Sequence, residues 1–116
     1  MYIDIFIATV PTDKRDVYRD YAEVAATVFV RHGAAGYREC WGAEVHEGEL
    51  TSFPKSVALK DGETVVVGWA LWSSKDARDA GMPSVMADPE MQAMMAKAPL
   101  DHQRMIFGGF ESLVER

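Results

Sequence analysis

Glu63-Thr64-Val65-Val66-Val67-Gly68-Trp69-Ala70-Leu71-Trp72 is the stretch that decides the fold. Valine and tryptophan suit a pleated surface, so the run is read as a strand, and Asp61-Gly62 supplies the turn before it. Successive strand side chains point to opposite faces, and here both sets are apolar: Val66, Ala70 and Trp72 on one face, Val65, Val67, Trp69 and Leu71 on the other. A strand with one wet face would alternate with polar residues. The run from Arg104 to Val114, carrying Ile106, Phe107 and Phe110, has the same two-sided character. Two helices cover one face of a small sheet, so the second face is expected to lie against another copy of the chain.

Working outward, Ile3, Ile5 and Ile7 alternate with Tyr2, Asp4, Phe6 and Ala8, a strand that Pro11 ends because proline cannot continue the ladder. Thr12 or Asp13 is placed to cap a following helix. Its apolar stripe is Val17, Tyr21, Val24 and Val28, widened by Tyr18, Ala22, Ala25 and Phe29, and Gly33 sits where a left-handed cap would end it. Tyr37 to Val45 reads as a second strand, with Glu39 and Trp41 on one face and Arg38 and Cys40 on the other. His46 to Gly62 reads as a long excursion with a short strand at Ser56 to Leu59, and His46 to Phe53 has the length and glycine content of a lid. Ser73 or Ser74 caps a helix from Lys75, which Gly81 and Pro83 interrupt. Pro89 opens a further turn edged by Met91, Met94 and Met95, and Gln103 to Val114 is the last strand, with a bulge possible at Gly108-Gly109.

Strand, helix, strand, strand, helix, strand is the split β-α-β order of an α+β, ferredoxin-like fold, an antiparallel sheet with both helices on one face. The whole chain, residues 1–116, is expected to form one such domain. Alternation suggests Phe6, Val66, Ala70, Trp72 and Phe107 for the bare face, a patch large enough to drive association into a dimeric α/β barrel.

Composition narrows the function. The net charge of −6, with no basic cluster longer than Lys14-Arg15, argues against a nucleic-acid partner. The single cysteine, Cys40, cannot form an internal disulfide and suits a reducing compartment, so a cytoplasmic protein is expected. Met1 leads straight into a strand pattern, without a leader-like segment, and no apolar run approaches the roughly 20 residues of a membrane span.

Arg104-Met105-Ile106-Phe107-Gly108-Gly109-Phe110 resembles the YbaA-like bacterial family of unknown function, as do Met1-Tyr2-Ile3-Asp4, Tyr37-Arg38-Glu39-Cys40, Thr51-Ser52-Phe53-Pro54 and Val85-Met86-Ala87-Asp88-Pro89. The resemblance implies a homodimeric α/β barrel of ferredoxin-like type, in which two four-stranded sheets face each other. It implies no established activity. Gly81-Met82-Pro83 departs from a stretch usually continuous as helix in that family.

Among candidate chemical groups, Asp4 stands out because a carboxylate inside a central strand must be paired or hydrogen-bonded. Structural pairing is one reading, a ligand-orienting or general-base carboxylate in a cavity the other. Arg104 is its possible partner if the register permits, as a structural ion pair or as an anion-binding group. Cys40 lacks a nucleophile signature, and His32, His46 and His102 lack metal-ligand spacing, so neither a metal nor a cofactor is expected. Trp69 and Trp72 fall on opposite faces of one strand, one for the helices and one for the barrel or partner. The functional expectation is a homodimer binding a small, mostly apolar molecule in or beside the barrel, through Asp4, Phe6, Glu39, Trp41, Trp72, Arg104 and Phe107. The alternatives are a cofactor-independent oxygenase or isomerase using Asp4 or Glu39 as base, and a structural dimer without ligand.

Overall fold

A computed structural model describes residues 1–116. The chain folds into strands β1 (Tyr2–Pro11), β2 (Gly36–Trp41), β3 (Glu63–Trp72) and β4 (Ile106–Glu111) and helices α1 (Arg15–Arg31), α2 (Phe53–Ser56), α3 (Lys75–Ala87) and α4 (Pro89–Met95). The strands form one antiparallel sheet in the order β2-β3-β1-β4. This is the ferredoxin-like arrangement expected, with the two longest strands at its centre.

Two apolar faces result: one lies under the helices, and the other is buried only at its Thr9–Val65 end. Trp72, Val66, Ala70, Tyr2, Ala8 and Val10 form the core with Tyr18, Tyr21, Ala25, Val28 and Phe29 of α1, Val85 of α3 and Met91 of α4. The face expected to be bare, that of Phe6, Val66, Ala70 and Trp72, is therefore the covered one. The open face carries the other alternation: Ile3, Ile5 and Ile7 on β1, Val67, Trp69 and Leu71 on β3 and Cys40 on β2, all half-exposed. Alternation sorts residues into two sets, but with both sets apolar it does not say which one meets the helices. The split between the tryptophans holds, with Trp72 fully buried beneath the helices and Trp69 on the open face.

Several boundaries move for physical reasons. No side chain caps α1; a 3-10 turn at Thr12–Lys14 leads into it, and the Thr12 hydroxyl instead pairs with that of Thr64 at 2.8 Å. Val17 is about half exposed and lies off the buried stripe, while Gly33 takes the left-handed conformation with φ 107°. Ser56 to Leu59 is not a strand, because Ser52 accepts a hydrogen bond from the Lys55 amide and starts the single turn of α2. Strand β2 stops at Trp41, short of Val45, and the excursion from His46 to Phe53 lies exposed apart from Ser52. Ser74 caps α3 through the Ala77 amide, and the helix runs on through Gly81 and Pro83 instead of breaking there. Asp88 then caps α4, accepting from the Glu90 amide at 2.9 Å. The β1–β4 register is unbroken from Tyr2↔Glu111 to Ile7↔Ile106, so Gly108-Gly109 is not a bulge.

One polar clamp ties the helical layer together. The second Asp88 oxygen accepts from Arg31 at 2.9 Å and lies 2.8 Å from His32, joining the end of α1 to the start of α4. The bond from His32, aided by that from Arg31, holds the Asp88 carboxyl down at about 2.

Candidate functional site

Between the covered face of the sheet and the helices lies a cavity of about 400 Å³. Its apolar wall is set by helical periodicity: Met82 and Met86 on α3 and Met91 and Met95 on α4 recur at four-residue steps and so share a face. Met105 and Leu100 line the side near β4, where Phe107 stands at the rim, 80% exposed, and Phe6, Phe29 and Tyr37 line the side toward the sheet and α1. Methionine's flexible thioether chain adapts to ligands of varied shape. None of the residues from His46 to Phe53 borders this cavity, so that excursion is no lid over it.

Asp4 and Arg78 form its main polar end. Asp4 stands on β1 opposite Ala70 and Gly109, pointing to the helix side. Its Oδ2 accepts the Trp72 indole N–H at 3.0 Å and lies 3.6 Å from Nε of Arg78. Arg78, on α3, donates to the Tyr2 hydroxyl at 2.8 Å, and its guanidinium stacks 4.7 Å from the centre of that ring. Its Nε is buried without a hydrogen-bond partner. The bond to Tyr2, with Asp4 nearby, raises the Arg78 pKa, so the cation is fixed at any ordinary pH.

A second polar group sits behind the wall. Glu39 on β2 accepts hydrogen bonds from the hydroxyls of Tyr18 and Tyr37, the latter at 2.6 Å. Burial pushes the Glu39 carboxyl up, and the two tyrosine bonds partly oppose that. Burial and the Glu39 charge raise the Tyr18, Tyr21 and Tyr37 hydroxyls far above their usual range, so all three remain protonated donors. Tyr21 and Tyr37 also line the cavity.

The structure thus brings Asp4, Phe6 and Phe107 together on the cavity wall, with Trp72 orienting Asp4 from behind. Trp41 lies apart from the cavity, under the Arg15 guanidinium at 5.3 Å, and Glu39 is screened from it by its tyrosines. Arg104 is not the partner of Asp4. It precedes β4, donates to both Glu63 oxygens at 2.8 and 2.6 Å and to Asp101 at 2.7 Å, and bonds the Ala58 carbonyl at 2.9 Å. With four of its five N–H donors engaged this way, it anchors the segment before β4 to the start of β3. The histidines stay apart: His32 is bound to Asp88, His46 is exposed, and His102 borders the cavity. Sequence reasoning missed Arg78, and the available signal was a charged residue on the buried side of α3, four positions before Met82.

A family profile described as a protein of unknown function (DUF1428) matches residues 1–102. The chain belongs to this family. It is 41% identical over 114 residues to the uncharacterized protein YbaA of Escherichia coli K12, covering 98% of this chain and 97% of that one. Among solved structures, an uncharacterized NIPSNAP domain protein from Burkholderia xenovorans superposes with a TM-score of 0.59 at 15% identity, covering 97% of this chain and 94% of the other. SnoaB from Streptomyces nogalater, a cofactor-independent oxygenase, superposes with a TM-score of 0.50 at 18% identity, covering 98% and 94%. At these identities the structures share the fold with this chain. No helix is long and apolar enough to cross a membrane.

Proposed function

We propose that this protein binds a small, mostly apolar molecule in the cavity between sheet and helices, as a homodimer joined through the open sheet face. The observation that carries the reading is the cavity itself: about 400 Å³, walled by methionines and aromatics, with a few polar groups at one end. Ligand pockets of this kind span roughly 300–1,000 Å³ and combine an apolar lining with sparse polar groups that orient the occupant. The cavity adjoins the sheet on its helix side, beside the proposed barrel and outside it.

Support for the dimer comes from the half-exposed row Ile3, Ile5, Ile7, Val67, Trp69 and Leu71. The lone Cys40 suits the reducing cytoplasm, where we place the protein.

A second reading, proton abstraction from a bound substrate by Asp4, is favoured by a specific feature: no group of the protein donates to Asp4 Oδ1. SnoaB, which shares the fold, is a cofactor-independent oxygenase. Native mass spectrometry of the purified protein tests the first reading. A mass of two chains plus a small co-purified molecule, released on denaturation, is expected. A bare single chain that takes up no apolar probe such as naphthalene rejects it, and a bare dimer with the same failure leaves a purely structural assembly. Turnover that is abolished by Asp4→Asn with fold and dimer intact establishes the second.

A further inference from the structure

We infer that the cavity admits a body as bulky as two or three fused rings, and that Gly68 sets this limit by letting the Phe6 ring lie back on the sheet. The inference rests on the cavity reading above and names the size class of its ligand. On the helix side of the sheet, Glu39 on β2, Gly68 on β3, Phe6 on β1 and Phe107 on β4 stand in one row. The Phe6 ring leans from its own strand onto Gly68: a Cβ at position 68 would overlap its Cε1 and stand 2.7 Å from its Cζ. Glycine in a strand interior forgoes side-chain packing and marks such a close approach. Phe6 also lines the cavity, so the ring resting on Gly68 is part of the cavity floor. The next row repeats the device, with Ala70 as a second small residue on that floor between Tyr37 and Asp4.

Two neighbours flank the space that a larger residue at position 68 would take, and only one can yield. Glu39 Cγ would lie 3.1 Å from the added Cβ, but the Glu39 carboxyl is bound by the Tyr18 and Tyr37 hydroxyls and stays in place. Phe6 has the cavity beside it, so its ring would turn off the sheet into that volume. The volume itself gives the ligand class. A cavity of about 150 Å³ is enough for benzene, whereas this one holds about 400 Å³. A single ring would leave much of it unfilled, and wall atoms facing a void lose their dispersion contacts. Two or three fused rings, or an aliphatic body of equal bulk, keep those contacts.

Four apolar probes of rising size, benzene, naphthalene, phenanthrene and pyrene, read the limit when titrated against the intact protein by equilibrium dialysis. Wild-type affinity should rise from benzene to phenanthrene and fall at pyrene, although transfer from water to oil goes on improving with size. Gly68→Ala should weaken phenanthrene at least tenfold and benzene less than twofold, because the displaced ring takes room that only the larger body needs. Phe6→Ala should move the limit the other way and bind pyrene at least tenfold tighter than wild type does. The double variant Gly68→Ala/Phe6→Ala should recover phenanthrene, a rescue that general loosening of the fold would not give. Pyrene binding wild type more tightly than phenanthrene, or Gly68→Ala changing all four affinities in one proportion, overturns the inference while leaving the cavity reading in place. Where Gly68→Ala does not fold, Phe6→Ala decides, and an unmoved size limit overturns the inference. Failure of all four probes to bind wild type rejects the cavity reading and the inference together.

Discussion

Gly109 on β4 and Tyr2 on β1 occupy one space: a Cβ at position 109 would overlap the Tyr2 hydroxyl and stand 2.7 Å from its Cζ. Tyr2 crosses the edge strand through this gap to accept the hydrogen bond of Arg78, so a glycine on β4 sets the position of a guanidinium on α3. Gly109→Ala should displace the ring, costing about 1–3 kcal/mol of stability as an overpacking substitution. It should also weaken whatever binds at the Asp4–Arg78 end more than it weakens purely apolar binding. Urea unfolding together with probe titration checks both, and an unchanged urea midpoint would mean that Tyr2 has another resting place.

Gly81 makes a comparable close approach inside a helix. A Cβ there would meet Cζ3 of Trp72 at 2.5 Å and the His32 carbonyl oxygen at 2.6 Å. Alanine improves helix propensity over glycine by about 1 kcal/mol, yet overpacking costs about 1–3 kcal/mol and a backbone carbonyl cannot rotate away. The steric effect wins, and Gly81→Ala is expected to lower the thermal midpoint. A rise in the midpoint would show that α3 can lift from the sheet without penalty.

These two glycines mark where reading the sequence reached its limit. The period-two pattern of Ile3, Ile5 and Ile7 and of Val65 to Trp72 located the central strands because burial on both faces leaves a dense apolar signal. Gly81 looked like a helix break because propensity is local, whereas its real role is contact with Trp72 and the end of α1. Asp4 was legible as a buried carboxylate in need of partners. Trp72 and Arg78 were not legible as those partners, since they arrive from β3 and from the helical layer. Arg104 drew attention for the same reason as Asp4 but is spent on Glu63 and Asp101, three residues before it in the case of Asp101.

Glu39 gives the protein a pH signature. Its carboxyl lies above the ordinary 4.5, so the group favours folding fully below that value, and the advantage is lost as pH rises through the higher folded-state pKa. The stability of wild type relative to Glu39→Gln should therefore fall as pH rises from about 4.5 toward 7, measured by urea unfolding at each pH. A relative stability that climbs with pH would mean the tyrosine bonds outweigh burial. Tyr37→Phe removes one of those bonds and should cost about 1.5–3 kcal/mol at pH values above the folded-state pKa of Glu39, the range for a hydrogen bond to a charged group, and less below it, where Glu39 is neutral. Asp88 acts in the opposite sense, contributing stability above its ordinary 3.8 that disappears as pH falls through about 2.

Ile7 tests the open face. It sits on central strand β1 between Val67 and Ile106, half-exposed and away from the cavity lining. Across a twofold axis each copy of Ile7→Glu brings its new charge into the same contact, where two like charges lose water without gaining a partner. In a separated chain the same glutamate can reach solvent at the half-exposed surface. The variant should elute as a folded monomer under conditions in which wild type elutes as a dimer, with circular dichroism unchanged. Light scattering that finds wild type monomeric at its highest soluble concentration, or Ile7→Glu still dimeric, removes the sheet face as the interface.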